Sequence, residues 1–188
     1  MKHSLWAVLL SAAAYYVYLP LPSGVSEPWK LMLLDALNLK TFTSPYLGNF
    51  VIEARSSPAV NVTDSALGGV PTRVFHPIGG EKLKRGVIYF HGGGWALGSG
   101  RMRSYDHLCR KMAEDLDAVI MSVDYRLAPE AVFPDQYHDA IAASRAFLST
   151  EVLEHYSIDP ERVCVSGDSA GGNLAAAVAQ KVEKQMHT

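Results

Sequence analysis

Cysteine is scarce in this chain. Cys109 and Cys164 are the only two among 188 residues, and they stand far apart. Neither a disulfide scaffold nor a C-x-x-C metal pair can be built from them, and no metal site is expected. A surplus of basic charge is missing as well. Lys plus Arg number 17 against 19 for Asp plus Glu, a formal net charge of -2. A nucleic-acid binder needs excess cations to neutralise phosphates, so no nucleic-acid partner is expected. Sustained heptads, a G-X-Y period and zinc-finger spacing are absent too, which excludes a coiled coil, a collagen and a zinc finger. What is there is ordinary globular material: 48% hydrophobic and 19% charged residues in a chain of one-domain length.

Long apolar runs are few. The clearest is Leu5 to Leu19, an uncharged stretch of 15 preceded by Lys2 and closed by Pro20 and Pro22. A bilayer span takes roughly 17–25 residues, so the run reaches that length only with Leu21 and its polar flanks. Three readings stay open. An uncleaved signal anchor over residues 1–22 would keep Tyr15, Tyr16, Tyr18 and Trp29 near the membrane–water interface. A cleaved signal peptide would use Ala12, Ala13 and Ala14 as its exit site. A buried N-terminal helix of a soluble protein is the third. The anchor is the expectation carried forward. Lys2 ahead of the run then leaves the N-terminus cytosolic and the remainder lumenal, a single-pass type II arrangement. The sequon Asn61-Val62-Thr63 fits a lumenal glycoprotein.

Residues 24 to 70 carry little periodic signal beyond an amphipathic stretch, Pro28 to Leu39. From there the chain alternates strands and helices. Strands are expected at Thr72–His76, Gly86–Phe90, Ala118–Val123 and Arg162–Ser166, the last three as continuous apolar runs buried on both faces. Helices are expected over 102–116, 135–149, Val152–Tyr156 and Gly171–Gln185. Buried strands alternating with helices imply an α/β fold, a mostly parallel sheet with flanking helices and right-handed crossovers. The expected organisation is a membrane segment at 1–22, an N-terminal or cap region with the first strand at 23–80, and the α/β domain at 81–188.

Two strand ends carry the chemistry. Gly167-Asp168-Ser169-Ala170-Gly171 is a G-x-S-x-G between a strand and an Ala-rich helix, the context this nucleophile turn requires. The tight turn exposes the Ser169 hydroxyl, and the helix that follows aims its positive end at the same spot. A plain Gly-rich turn with an N-capping serine is the blander alternative. The second end is His91-Gly92-Gly93-Gly94-Trp95. Successive glycines let backbone N–H groups turn toward a ligand. An acyl-transfer oxyanion needs such donors, each typically worth about 3–4 kcal/mol when preorganised. The expected oxyanion set is His91, Gly92, Gly93 and Gly94 with Ala170, where His91 organises the loop rather than acting as a base. A competing reading takes Gly92, Gly94 and Gly98 as a dinucleotide loop with Asp124 as its ribose acid. Trp95 and the gap before the next helix weigh against it, and it leaves Ser169 unexplained.

HGGGW at 91–95, Asp124-Tyr125-Arg126-Leu127-Ala128-Pro129-Glu130 with Phe133-Pro134, and GDSAGGN at 167–173 together resemble the hormone-sensitive-lipase branch of the α/β-hydrolases. Within that branch the chain is similar to the arylacetamide deacetylase group. Ala13–Tyr18 and Pro28–Asp35 resemble its cholesterol-ester-hydrolysing members. The resemblance implies a serine esterase of the endoplasmic reticulum membrane with a lumenal catalytic part. It would act on lipophilic acyl or acetyl esters without a cofactor, with Ser169 as nucleophile. The family's cap region corresponds to a shortened segment near residues 38–60.

In this fold an Asp or Glu and then a His follow the serine. The 19 residues after Ser169 hold no Asp, one Glu (Glu183) and one His (His187). In a continuing helix His187 would stand about 27 Å along the axis at ~1.5 Å per residue. A base must come within ~2.6–3.2 Å. Upstream His76, His107, His138 and His155 carry no motif and read as surface or packing residues. The expectation is therefore a C-terminally truncated esterase lacking the triad Asp and His. Its sheet would lie open beside the serine-bearing strand, where a full-length homologous chain is a candidate partner. The alternative function is an inactive membrane-tethered form that binds lipid or a partner.

Overall fold

The computed structural model describes residues 51–186. The expected membrane segment 1–22, the amphipathic stretch 28–39 and His187 lie outside the described residues. The residues in view belong to a compact unit running from Asn49 to Thr188. Among the described residues no helix is long and apolar enough to cross a membrane.

Among the described residues nine elements follow one another: β1 (Val60–Leu67), β2 (Val70–Pro77), β3 (Lys84–Phe90), α1 (Arg103–Leu116), β4 (Ala118–Val123), α2 (Asp135–Phe147), α3 (Thr150–His155), β5 (Ile158–Gly167) and α4 (Ala170–Met186). The strands form one sheet in the order β1-β2-β4-β3-β5. All six residues of β4 are buried, as its continuous apolar sequence demands. Helix α1 ends where Asp117 turns left-handed at φ 47°, its N–H donating to the Ala113 carbonyl, and β4 begins at the next residue. The Asp117 carboxylate meets the buried Lys84 ammonium at 2.5 Å and accepts the Glu81 N–H at 2.8 Å, tying α1 to the start of β3.

The sheet is mixed rather than mostly parallel, a correction to the expectation from sequence. β3 runs parallel to β4 and to β5, but β1 with β2 and β2 with β4 are antiparallel. For β1 with β2 the physical reason is the connection. Leu67 pairs with Val70 across Gly68-Gly69, both at positive φ (62° and 77°). Two residues can only return the chain antiparallel, since a parallel neighbour needs a crossover of a dozen or more. β5 also departs from its expected burial on both faces. It sits at the end of the sheet, with Val163 and Val165 half-buried and Cys164 exposed.

Apolar side chains on the two faces of the sheet form separate cores. Ile88, Phe90, Met121 and Val123 face α2 and α4 through Ala140, Phe147, Leu174 and Val178. Val87, Tyr89, Ile120 and Phe75 face α1 through Cys109 and Ala113. The consequence for function is topological. The neighbouring strands β3 and β5 send their chains to opposite faces, β3 toward α1 and β5 toward α4. A crevice must open between their carboxyl ends, the place where open α/β sheets bind ligands.

Candidate active site

Both sequence motifs arrive at that crevice. Ser169 stands between β5 and α4 with φ 51°, a left-handed conformation in a non-glycine residue, and its side chain is exposed. Such strain persists only where its surroundings enforce it. Here the enforcement comes from the close approach of the turn to the end of β3. A Cβ placed on Gly171 would lie 2.0 Å from the Phe90 carbonyl oxygen and 2.5 Å from that of His91. One on Gly167 would lie 2.6 Å from the same Phe90 oxygen. The two motif glycines are therefore packing requirements between β3, β5 and α4.

The glycine loop is held from several directions. His91 is fully buried and its ring stacks on Tyr125 at 4.3 Å and 7°. Its Nδ1 bonds the Gly92 carbonyl oxygen at 2.8 Å, which makes Nδ1 the protonated nitrogen. Burial pulls its pKa below the ordinary imidazole value, so the ring is neutral near pH 7 and serves the loop as an organiser. The Tyr125 hydroxyl donates to the His91 carbonyl at 2.6 Å, and the Ala128 N–H donates to the Trp95 carbonyl at 2.8 Å. The segment Asp124–Glu130 thus clamps the loop. Asp124 itself accepts the Gly100 N–H at 2.9 Å and the Arg101 Nε at 2.8 Å. With both oxygens engaged it is not available to a ribose, which removes support from the dinucleotide reading.

The hydrogen bonds also separate the expected oxyanion donors. The Gly92 N–H is already taken, donating to the Tyr105 hydroxyl at 3.0 Å and to Asp168 Oδ1 at 3.0 Å. Among the described residues, the N–H groups of Gly93, Gly94 and Ala170 have no acceptor. Asp168 was not among the residues singled out by sequence, because it fills a variable position of the motif. Its partners Tyr89, Gly92 and Tyr105 lie 63 or more positions away.

Beside the loop and the first turns of α4 lies a cavity of about 710 Å³. Trp95, Val132, Phe133, Tyr137 and Leu174 line it, with Asn173 as a polar member. Phe133 is 85% exposed at its rim, and Val132 is 69% exposed. Large exposed apolar groups next to a cavity mark a binding surface for apolar matter. The remaining histidines stand elsewhere. His107, His138 and His155 are exposed on α1, α2 and α3, and half-buried His76 packs edge-on against Tyr156 at 5.9 Å. Among the described residues no side chain hydrogen-bonds the Ser169 hydroxyl. Asn61 is exposed on β1, at the other end of the sheet from β5, where its Oδ1 accepts the Ser56 hydroxyl at 2.7 Å.

The chain is similar to known proteins in sequence and in fold. A family profile described as the alpha/beta hydrolase fold matches residues 87–188. Neutral cholesterol ester hydrolase 1 of Mus musculus is 53% identical, the match covering 94% of this chain and 48% of that protein. Arylacetamide deacetylase of Oryctolagus cuniculus is 46% identical over 91% of this chain and 48% of its own length. The hyperthermophilic esterase of Pyrobaculum calidifontis superposes with a TM-score of 0.60 at 38% identity, covering 69% of this chain and 42% of that one. The chain spans about half the length of the curated relatives it matches.

Proposed function

Since the chain belongs to the α/β-hydrolase fold family, we propose that its crevice is the nucleophile side of a serine carboxylic ester hydrolase acting on lipophilic acyl or acetyl esters. The observation that carries this reading is the pairing of a strained, exposed Ser169 with the unengaged amides of Gly93, Gly94 and Ala170. In the step proposed, the Ser169 oxygen attacks the ester carbonyl carbon and the carbonyl oxygen becomes an oxyanion. Those N–H groups meet the charge as it develops, and each well-placed donor is worth about 3–4 kcal/mol. The serine proton must pass to a base, without which the hydroxyl is a weak nucleophile at neutral pH. The cavity lined by Trp95, Val132, Phe133 and Leu174 supports an apolar substrate moiety.

Treated with a fluorophosphonate at alkaline pH, where solvent hydroxide can take the serine proton, the full 188-residue chain is expected to become labelled on Ser169, and the Ser169→Ala variant to remain unlabelled. Equal labelling of the two would sink the proposal. A second reading, a lipid-holding protein without turnover, is favoured by the Ser169 hydroxyl having no hydrogen-bond partner among the described residues. Retention of a fluorescent fatty ester with no labelling selects it. For the whole protein we further propose a single-pass type II anchor at 1–22 in the endoplasmic reticulum membrane, with Asn61 glycosylated on the lumenal side. Resistance to carbonate extraction and a mobility shift on deglycosylation, lost in Asn61→Gln, are the expected results.

A further inference from the structure

Asp168 precedes the serine at a position where the G-x-S-x-G pattern accepts any residue, and it is exposed on its outer side. Its inner side is fully engaged. Oδ1 accepts the Tyr89 hydroxyl at 3.0 Å and the Gly92 N–H at 3.0 Å. Oδ2 accepts the Tyr105 hydroxyl at 3.1 Å. These donors come from three places: β3, the glycine loop and the first turn of α1. The Tyr105 oxygen in turn accepts the same Gly92 N–H at 3.0 Å, so one amide closes a ring of contacts with a phenol and a carboxylate. A Cβ on Gly92 would stand 2.2 Å from Asp168 Oδ2, which leaves no room for a side chain between loop and turn.

We propose that Asp168 is a positioning residue, a strut that holds the glycine loop against the serine turn by capturing the Gly92 N–H and thereby aims the next two amides at the reaction centre. The geometry explains why Gly92 is withdrawn while Gly93 and Gly94 are left without acceptors. Successive amides of a tight loop cannot all point one way, so fixing the first sets the direction of those that follow. The phenols stay protonated and remain donors. Burial pushes Tyr105 up to about 12, and burial followed by the bond to Asp168 raises Tyr89. The contribution to acyl transfer rests on the serine-hydrolase reading; the strut between loop and turn does not.

The test uses the full chain and two readouts. Amide hydrogen exchange reads the strut: Asp168→Ala is expected to raise exchange in peptides spanning 91–97 while those spanning 118–123 keep their protection. Fluorophosphonate labelling reads the consequence. The maximal rate of inactivation is expected to fall about tenfold or more, with the probe's half-saturating concentration unchanged, since only the transition state feels misaimed donors. Tyr105→Phe, which leaves the carboxylate in place, should shift both readouts in the same direction to a smaller extent. It decides the matter if Asp168→Ala loosens the whole sheet. Unchanged loop exchange in these variants overturns the strut. A loosened loop with an unchanged inactivation rate overturns its positioning role. A wild-type chain that never labels refutes the serine-hydrolase reading, and loop exchange still decides the strut.

Discussion

Gly171→Ala is expected to lower the rate of Ser169 phosphonylation about 100-fold and to destabilise the domain by about 3 kcal/mol. The added methyl would lie 2.0 Å from the Phe90 carbonyl oxygen and 2.5 Å from that of His91. Both atoms belong to the backbone at the end of β3, so no rotamer change can relieve the contact. Relief requires α4 to move away from β3, and that movement separates Ala170 from the glycine loop. A displacement of an ångström between reacting groups costs about two orders of magnitude in rate. Gly172→Ala is the matched control. There the methyl meets its nearest neighbour, the Gly167 carbonyl oxygen, at 3.2 Å, and alanine favours the helix by about 1 kcal/mol. Thermal unfolding and labelling kinetics of the two variants measure the contrast. Equal behaviour of the pair would show that the approach of β3 to the turn is not what holds the serine.

Arg73→Ala is expected to cost about 3 kcal/mol of folding stability. Arg73 is completely buried on β2. It donates to both oxygens of Asp64 on β1 at 2.7 and 2.9 Å, to Asp106 on α1 at 3.0 Å, and to the Ile52 carbonyl at 2.8 Å. Removing one member of a buried ionic network costs about 3–5 kcal/mol, because the partners stay desolvated without their counter-charge. The lower end applies here. The Asp64 side chain is 42% exposed, and Asp106 keeps Arg110 at 3.0 Å. The bond from Arg73 holds the Asp64 carboxyl below the ordinary carboxylate range. A carboxyl whose folded pKa is depressed contributes stability that is complete above its unfolded value, about 3.9. That contribution is lost as pH falls through the lower folded value. Arg73→Ala should therefore narrow the stability gap to wild type as pH drops below about 4. Urea unfolding at pH 7 and pH 3 measures this, and a gap that does not narrow refutes the role given to Asp64.

Legibility followed the environment of each element. β3 and β4 are continuous apolar runs because both faces of the sheet are covered there, and their positions could be read directly. β1 was not read. Of its eight residues only Val60 and Val62 are buried, and the remainder resemble a polar loop. Its signal was the two-residue Gly68-Gly69 turn, which prescribes a hairpin and with it the antiparallel pairing of β1 with β2. In the site, Ser169 and the loop at 91–94 were legible because each motif is local, a few residues whose spacing carries the chemistry. Asp168 was not, because its partners Tyr89 and Tyr105 are joined to it only when β3 and α1 pack.

What the sequence determined by itself was the order of buried strands and helices and the strand-to-helix turn that carries Ser169. Both are short-range consequences of hydrophobic pattern and motif spacing, whereas the strain at Ser169 and the need for glycine at 171 come from the approach of β3. Tertiary structure alone decided which amides remain for a ligand. A backbone N–H is spent on the acceptor it reaches first, and for Gly92 that acceptor is supplied by residues distant in the chain. The pairing of β2 with β4 and the opposite departures of the chain from β3 and β5 belong to the same class. They follow from pairing and layering among elements, which no local run of residues specifies.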